Sequence, residues 1–309
     1  MTNRYNHLNE YLKNKFGERV LKICIDGGFT CPNRDGSKGV GGCIFCGEAG
    51  AGENIKGKCQ SVIESIENQV RVFLNSYRGE RANKFIAYFQ SFSNTYDTIS
   101  NLKLKYDTAL MVSDKIIGLQ IATRPDLVNE EVIDLLRAYS ERYYVCVELG
   151  LQTADESIGQ NLNRNYTTEE FVATCKRLRN NNIDVVGHMM IGLPGETEES
   201  IVDTVKVINE NCTGIKIHST YVQSNTELHR MYDRKEYLPI TMDYYVRMVA
   251  KVISILDKSI IVHRINADPP KDQLIAPDWM LKKKIVLNAI NKYLETENIF
   301  QGEKKLLSF

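Results

Sequence analysis

The sequence lacks an excess of charge of either sign, because 39 Lys and Arg residues balance 39 Asp and Glu residues. The balance excludes a global basic field that would attract nucleic acid, although a local basic face is still compatible with it. The sequence also lacks an apolar run of the roughly 18 to 20 residues that cross a bilayer. Its N-terminus, MTNRYNHLNEYLKNKFGERV, has no apolar signal-peptide core, so we expect a cytoplasmic protein without membrane contact.

Nothing in the remaining composition is unusual for a globular protein, with 43% hydrophobic and 25% charged residues. The 309 residues allow one large domain, alone or with a smaller appendage, and no low-complexity linker divides them. The sequence contains eight cysteines. In a reducing cytosol these do not predict a disulfide framework, and clustered ones indicate metal or redox chemistry.

Predicted strands and helices alternate through most of the chain. Strands, some with the loop that follows, are predicted near residues 20–25, 84–96, 115–126, 143–154, 183–197 and 214–223. Segments with helical spacing occupy residues 5–16, 62–77, 130–142, 168–182 and 198–211. Repeated βα units require a parallel sheet, either doubly wound or a partial barrel. In both, the loops at the carboxyl ends of the strands form the site.

The rhythm changes after about residue 226. The next elements are predicted to be a helix at 242–258, a strand at 260–268 and a helix at 278–295. We therefore predict a core domain with an N-terminal extension at 1–225 and a small α+β C-terminal subdomain at 226–309.

The stretch GGFTCPNRDGSKGVGGCIFCGEAGAG, residues 27–52, contains three cysteines and few large aliphatic side chains. Cys43 and Cys46 have the C-x2-C spacing that brings two thiolates to one metal centre, and eleven residues separate Cys31 from Cys43. Three ligands suit an iron–sulfur cluster with one iron left open, whereas four suit a closed zinc site or a fully ligated cluster. The glycines favour a cluster, because they allow close approach of the backbone.

The other five cysteines fall into two groups. Cys24 and Cys59 are candidates for a fourth ligand, although a predicted strand position and a distant loop position make them better candidates for bystanders. Cys146, Cys175 and Cys212 lie in predicted regular structure and are interpreted as small buried hydrophobic residues.

An ordered set of motifs now indicates a family. GFTCPNRDG, GGCIFC, ATRPD, ELGLQT, NLNRNYT, HMMIGLPGE and GIKIHSTYVQSNTEL follow one another along residues 5 to about 290. Together they resemble the radical S-adenosylmethionine superfamily, in a subfamily related to the radical-SAM module of the Elongator catalytic subunit. The usual cysteine spacing in that superfamily is C-x3-C-x2-C, and the eleven-residue first gap of this chain departs from it.

The resemblance implies an α/β fold, a partial (β/α)6 TIM-like barrel of the radical SAM type. It implies a 4Fe–4S cluster on Cys31, Cys43 and Cys46, with S-adenosylmethionine on the open iron. It also implies contacts of S-adenosylmethionine with Phe45, Gln90, Ser91, Glu148, Gln152, Arg164 and His188.

Several of these residues have a specific expected role and an alternative. Gln90 and Ser91 stand where the family has Gly-Gly-Glu against the methionine amine, although an ordinary turn would look the same. A Glu inside a parallel strand costs several kcal/mol unless it is paired or bound, so Glu148, with Gln152 on the same face, is expected to contact the ribose. Arg164 is expected at the methionine carboxylate or on the surface, and His188 near the nucleoside or in the core.

Further residues are candidates for the substrate side. Arg124 is interpreted as binding the substrate or forming a salt bridge with Asp126. Residues near the end of the last strand and in the C-terminal segment are expected at the substrate entrance, namely His218, Tyr221, His263 and Arg264. The cluster of Lys282–Lys284 with Trp279 could contact a phosphate backbone or form a solvated helix face.

Three functions of different classes follow. The first is a radical enzyme that modifies the wobble uridine of tRNA, for instance by converting a 5-carboxymethylaminomethyl group to 5-aminomethyl, with a flavodoxin-type or ferredoxin-type electron donor. The second is a radical enzyme acting on a protein or a small metabolite. The third is a non-enzymatic zinc-binding scaffold.

Overall fold

The computed structural model describes residues 3–47 and 59–304. Within these ranges the strands are β1 Val20–Ile25, β2 Lys84–Phe89, β3 Ile116–Thr123, β4 Tyr144–Gln152, β5 Asp184–Ile191, β6 Gly214–Ser219, β7 Val222–Gln223, β8 Ile261–Arg264 and β9 Leu274–Ala276. The helices are α1 Leu8–Phe16, α2 Val62–Leu74, α3 Ile99–Met111, α4 Glu130–Ser140, α5 Glu156–Asn161, α6 Thr168–Asn180, α7 Glu198–Asn211, α8 Glu227–Asp233, α9 Met242–Ile255 and α10 Lys283–Thr296.

Seven strands form one parallel sheet, in the order β1-β2-β3-β4-β5-β6-β8. A doubly wound sheet would reverse its strand order at a switch point, and this order runs in one direction only. The sheet is therefore a curled half-barrel, which confirms the partial barrel, one of the two predicted alternatives. All six predicted strands of the barrel are confirmed, and β8 adds a seventh.

The C-terminal segment shares the sheet and core of the barrel. β8 pairs in parallel with β6, and Val249 of α9 and Ile290 of α10 belong to the same buried cluster as the barrel residues. The short strands β7 and β9 pair antiparallel beside the mouth of the barrel. The boundary at residue 225 stays a prediction.

Most helix starts follow local sequence signals. Thr167 caps α6, and Glu170 returns its side chain to the Thr167 backbone N–H in a capping box. Helix α3 was not predicted, because its apolar residues are not confined to one face of the helix. Leu104 and Met111 are exposed although the same helix buries Leu102. No helix of the described residues is long and apolar enough to cross a bilayer.

Candidate functional site

A cavity of about 190 Å³ opens at the carboxyl ends of the barrel strands. Predicted site residues from distant parts of the chain meet on its wall: Cys31, Cys43, Phe45, Cys46, Gln90, Arg124, Glu148, Gln152, His188 and His218. This is the location expected for the site of a parallel α/β barrel.

The cysteine loop is tied to the segment between α5 and α6. The Asn33 side chain donates to the carbonyl oxygen of Asn163 over 2.5 Å, and the Asn163 side chain donates to the carbonyl oxygen of Gly42 over 2.8 Å. The Ile44 N–H donates to the Leu162 carbonyl oxygen. Gly42 has φ +80°, a conformation that favours glycine. The part of the glycine-rich stretch at residues 48–52 lies outside the described residues.

The surroundings of the thiols favour metal ligation. A hydrogen bond from the Cys46 thiol lowers the pKa of Cys43, and the positive charge of Arg124 acts in the same direction. The Asn33 amide donates to the Cys43 sulfur over 3.8 Å. The thiolate is the metal-binding form of cysteine, and amide hydrogen bonds to sulfur are a regular feature of iron–sulfur sites. The cysteine triplet therefore fits a 4Fe–4S cluster held at three corners.

A single-ion site has less support. In residues 3–47 and 59–304, no three or more His, Cys, Asp or Glu side chains are spaced to hold one metal ion. Cys146, Cys175 and Cys212 are buried, as predicted for small hydrophobic residues. Neither Cys24 nor Cys59 lines the cavity.

The interior of the barrel holds a charged network centred on Glu148, which is fully buried. Its Oε2 lies 2.5 Å from the Lys216 Nζ and 2.9 Å from the His188 Nε2, and its Oε1 lies 3.5 Å from the Lys22 Nζ. Further partners are Tyr88, which donates to Oε2, and Gln120, which donates to Oε1. Five strands other than β4 thus supply a partner to one carboxylate.

The charges of this network set its protonation states. Burial alone would raise the pKa of Glu148, but Lys216 and Lys22 outweigh it and hold that pKa well below its usual range. Burial lowers the pKa of Lys216 to about 8. Burial also lowers the pKa of His188, and it lowers that of His218 strongly. At pH 7 Lys216 and Glu148 are therefore charged, and His188 and His218 are neutral.

The residues expected to contact S-adenosylmethionine differ in whether they line the cavity. Phe45, Gln90 and Gln152 line the cavity. Gln152 has φ +60° at an irregularity of β4, and its side-chain oxygen accepts a hydrogen bond from Tyr166. Ser91 is buried directly beside Gln90 but does not line the cavity. The roles proposed for these residues stay predictions.

Arg164 is 1% exposed, and its guanidinium is occupied by protein acceptors. It donates to the carbonyl oxygens of Leu151, Thr153 and Tyr166 over 2.7 to 2.9 Å, and it pairs with Glu156 at 3.3 Å. It does not line the cavity. The surface alternative is wrong, and the proposed contact with a methionine carboxylate would require these acceptors to be exchanged.

Arg124 has both of its predicted features. It pairs with Asp126 through two hydrogen bonds of 2.9 and 3.0 Å, and it also lines the cavity beside the thiols. The salt bridge is thus confirmed, and a contact with the substrate stays a prediction. For His188 the two predicted positions, the core and the site, are both found, since its side chain pairs with Glu148 inside the barrel and also lines the cavity.

A second cavity of about 140 Å³ adjoins the first. Both are lined by Phe45, Cys46, Gln152, His188, His218 and Arg264. Tyr221 and Asp268 belong to the second alone. Three of the four residues expected at the substrate entrance are therefore found here. His263 is the exception, because its side chain is 2% exposed and lies inside the barrel, 3.4 Å from the Lys22 Nζ.

The cluster at Lys282–Lys284 is not a stacking platform. The Trp279 ring stacks on the Tyr245 ring at 5.5 Å, and its indole N–H donates to the Ile240 carbonyl oxygen. Lys283 pairs with Asp268 at 2.6 Å.

The lysines of the interior, Lys22 and Lys216, were not predicted as site residues. A signal was available, because Lys216 and His218 alternate with isoleucines in GIKIHS and so share the face that the interior requires. The signal cannot reveal that both lysines reach Glu148, since this depends on the curl of the sheet.

The fold and the site together are typical of a class of enzymes in which a parallel half-barrel holds a cofactor on thiolates at its mouth. The family profile described as Radical SAM superfamily matches residues 31–208, and that of the Radical_SAM C-terminal domain matches residues 212–296. The chain belongs to the radical SAM superfamily, as the resemblance implied. A 4Fe–4S cluster and S-adenosylmethionine are the cofactors of this family.

Similar proteins support this assignment. The uncharacterized protein YtqA of Bacillus subtilis is 36% identical over 97% of this chain and 92% of its own length. The tRNA uridine(34) acetyltransferase of Methanocaldococcus jannaschii is 30% identical, over 59% of this chain and 34% of its own length. In structure, the archaeal Elp3 of Methanocaldococcus infernus matches with a TM-score of 0.69 at 19% identity, over 91% of this chain and 64% of that one.

Proposed function

We propose that this protein is a radical SAM enzyme that modifies the wobble uridine of tRNA, converting a 5-carboxymethylaminomethyl group, with or without 2-thiolation, to 5-aminomethyl. The observation that carries the radical chemistry is the meeting of Cys31, Cys43 and Cys46 on one cavity wall with the side chains around Glu148. The kinship with a tRNA uridine(34) acetyltransferase supports the substrate. That kinship covers about a third of the relative, so the substrate is part of the proposal.

The side chains of this chain have defined tasks in the proposal. When bound, the cluster and S-adenosylmethionine supply a 5′-deoxyadenosyl radical that removes a hydrogen atom from the substrate. Cys31, Cys43 and Cys46 would hold the cluster. Gln90, Glu148 and Gln152 would orient the nucleotide, and Phe45, which lines both cavities, would pack against it.

The net reaction balances without a further oxidant. The –CH2–COO⁻ unit leaves the nitrogen as glyoxylate, which is a two-electron oxidation of the carbon followed by hydrolysis with one water. One S-adenosylmethionine takes up those two electrons with one hydrogen from the substrate and becomes methionine and 5′-deoxyadenosine. The products are then the 5-aminomethyl nucleoside, glyoxylate and one proton. An external flavodoxin-type or ferredoxin-type protein would prime the cluster in the cytoplasm.

Nucleoside mass spectrometry tests this function. Anaerobic, cluster-reconstituted protein is incubated with S-adenosylmethionine, a reductant and tRNA from a strain lacking the gene. We expect the 5-aminomethyl nucleoside, glyoxylate and 5′-deoxyadenosine in equal amounts. Unaltered tRNA would refute the assigned substrate. Absence of 5′-deoxyadenosine under every condition, with the cluster intact, would refute the radical chemistry as well.

A further inference from the structure

The second cavity carries one positive and one negative side chain on the same wall. Arg264 ends β8, and Asp268 lies four residues later. Their charged groups are 3.9 Å apart, which is too far for a hydrogen-bonded pair. About two fifths of each side chain is exposed. Both groups can therefore turn toward a molecule that enters the cavity.

The guanidinium of Arg264 has unused hydrogen-bonding capacity. It carries five N–H donors, none of which makes a hydrogen bond within residues 3–47 and 59–304, where its ion-pair partner Asp268 lies at 3.9 Å. The arginines on the opposite side of the barrel mouth differ, since Arg124 and Arg164 are held by protein acceptors. Asp268 pairs through Oδ2 with Lys283 at 2.6 Å, and within the described residues its Oδ1 takes part in no hydrogen bond.

An uncharged polar group on the same cavity wall also lacks a partner within the described residues. The His218 Nε2 is buried, and no hydrogen-bond partner for it lies in the described part of the chain. A buried polar atom without a partner is unfavourable, because it has lost its hydrogen bonds to water. Because His218 lines both cavities, a polar ligand between them would supply its missing partner.

We propose that the second cavity is a subsite for an amino-carboxylate group, in which Arg264 binds the carboxylate and Asp268 binds the ammonium. This deepens the proposed function and rests on it, because the –NH2⁺–CH2–COO⁻ arm of the proposed substrate is such a group. The subsite shares Cys46 and Phe45 with the cofactor cavity. A group held there would lie beside the cavity assigned to the cofactor. Arg264 and Asp268 thus determine specificity for the modified arm.

Matched ligands and variants test the assignment by binding. The probes are anticodon stem-loops whose wobble position carries the 5-carboxymethylaminomethyl group, its methyl ester, or no substituent. Equilibrium binding is measured anaerobically on the cluster-loaded protein with S-adenosylmethionine present. The variants are Arg264→Gln and Asp268→Asn. Arg247→Gln, an exposed arginine on α9 outside both cavities, is the charge-matched control.

We expect wild-type protein to bind the acid at least about tenfold more tightly than the ester, because hydrogen bonds between charged groups are stronger than those between neutral groups. Arg264→Gln should bring this ratio of affinities close to one, because it weakens binding of the acid alone. Asp268→Asn should weaken binding of the acid and of the ester alike, relative to binding of the unsubstituted stem-loop. Arg247→Gln should change no ratio, and S-adenosylmethionine binding, measured separately, should be the same in all four proteins.

Three results would overturn the inference. One is an Arg264→Gln variant that weakens all three stem-loops equally, which would mean that Arg264 contacts the phosphate backbone. Another is loss of S-adenosylmethionine binding in that variant, which would assign Arg264 to the cofactor. The third is wild-type protein that binds acid and ester equally while still releasing glyoxylate, which would remove this subsite and leave the proposed function intact. Failure of glyoxylate release would instead refute the proposed function itself.

Discussion

Replacing Glu148 with Gln should destabilise the protein far more than its similar shape suggests. The change removes one negative charge that is completely buried and keeps the volume of the side chain. It leaves Lys216, whose side chain is 6% exposed, without its anionic partner. The structure therefore predicts that the penalty comes from the remaining cation.

The magnitude follows from the distances. With an effective dielectric constant of about 20, the attraction is about 5 kcal/mol for Lys22 at 3.5 Å and about 7 kcal/mol for Lys216 at 2.5 Å from the Glu148 carboxylate. Desolvation of the charges offsets most of this gain. Removing one partner of a buried pair typically costs about 3 to 5 kcal/mol, and this is the expected loss at pH 7.

The loss should depend on pH. In the wild type, burial lowers the pKa of Lys216 to about 8, below its value in the unfolded chain. The unfolded state then binds more protons between that pH and about 10.4, so stability rises with pH in this window. Without Glu148 the pKa of Lys216 falls further, and the window begins at lower pH. The cost of Glu148→Gln should therefore be smaller at pH 9 than at pH 7.

Urea unfolding of four proteins measures the effect. They are the wild type, Glu148→Gln, Lys216→Met and the double variant, all compared in the same cofactor state with similar m-values. The double variant should lose less stability than the sum of the two single variants, because neither charge of the pair remains. Additive losses, or a cost below about 1 kcal/mol for Glu148→Gln at pH 7, would refute the charge pairing described here.

Three further predictions concern other parts of the site. Cys46→Ala should abolish the iron content and the formation of 5′-deoxyadenosine, whereas Cys59→Ala should keep both. Metal analysis and chromatography measure the two, and equal iron in the two variants would contradict the cluster assignment. Burial raises the pKa of Glu196 to about 8, so folding stability should fall as pH rises from about 4.5 to 8, by up to about 1.4 kcal/mol per pH unit. Glu196→Gln should flatten this part of the stability profile, as measured by thermal unfolding. An unchanged slope in the variant would show that the carboxyl of the wild type is ionised. Arg164→Met should lower the free energy of unfolding by about 3 kcal/mol or more, because the buried carbonyl oxygens of Leu151 and Thr153 lose their donors. A loss below about 1 kcal/mol in urea unfolding would instead favour a role of Arg164 in binding the cofactor.

The structure changes how two sequence predictions are understood. A ligand contact of Glu148 was inferred from the cost of a lone carboxylate in a strand, and the network of Lys216 and Lys22 now satisfies that cost without a ligand. The predicted ribose contact must therefore be made by a carboxylate that is already paired. Arg164 was expected at a carboxylate or on the surface, and the structure shows it buried, donating to the carbonyl oxygens of Leu151 and Thr153 at the end of β4.

The sequence by itself determined the βα order, the cysteine triplet and the family. These properties are local, because periodicity, spacing and motif order survive without knowledge of which strands are neighbours. It could also place Glu148 and Gln152 on one face of a strand, since residues two apart share a face.

Only the tertiary structure decided which groups meet. The curl of a seven-stranded sheet brings Lys22 and Lys216, which are 194 positions apart, to the same carboxylate. It also brings β8, assigned to a separate subdomain from the sequence, into the barrel and places Arg264 at the mouth. Such contacts depend on strand order, register and curvature, which arise from packing across the whole chain rather than from any short segment.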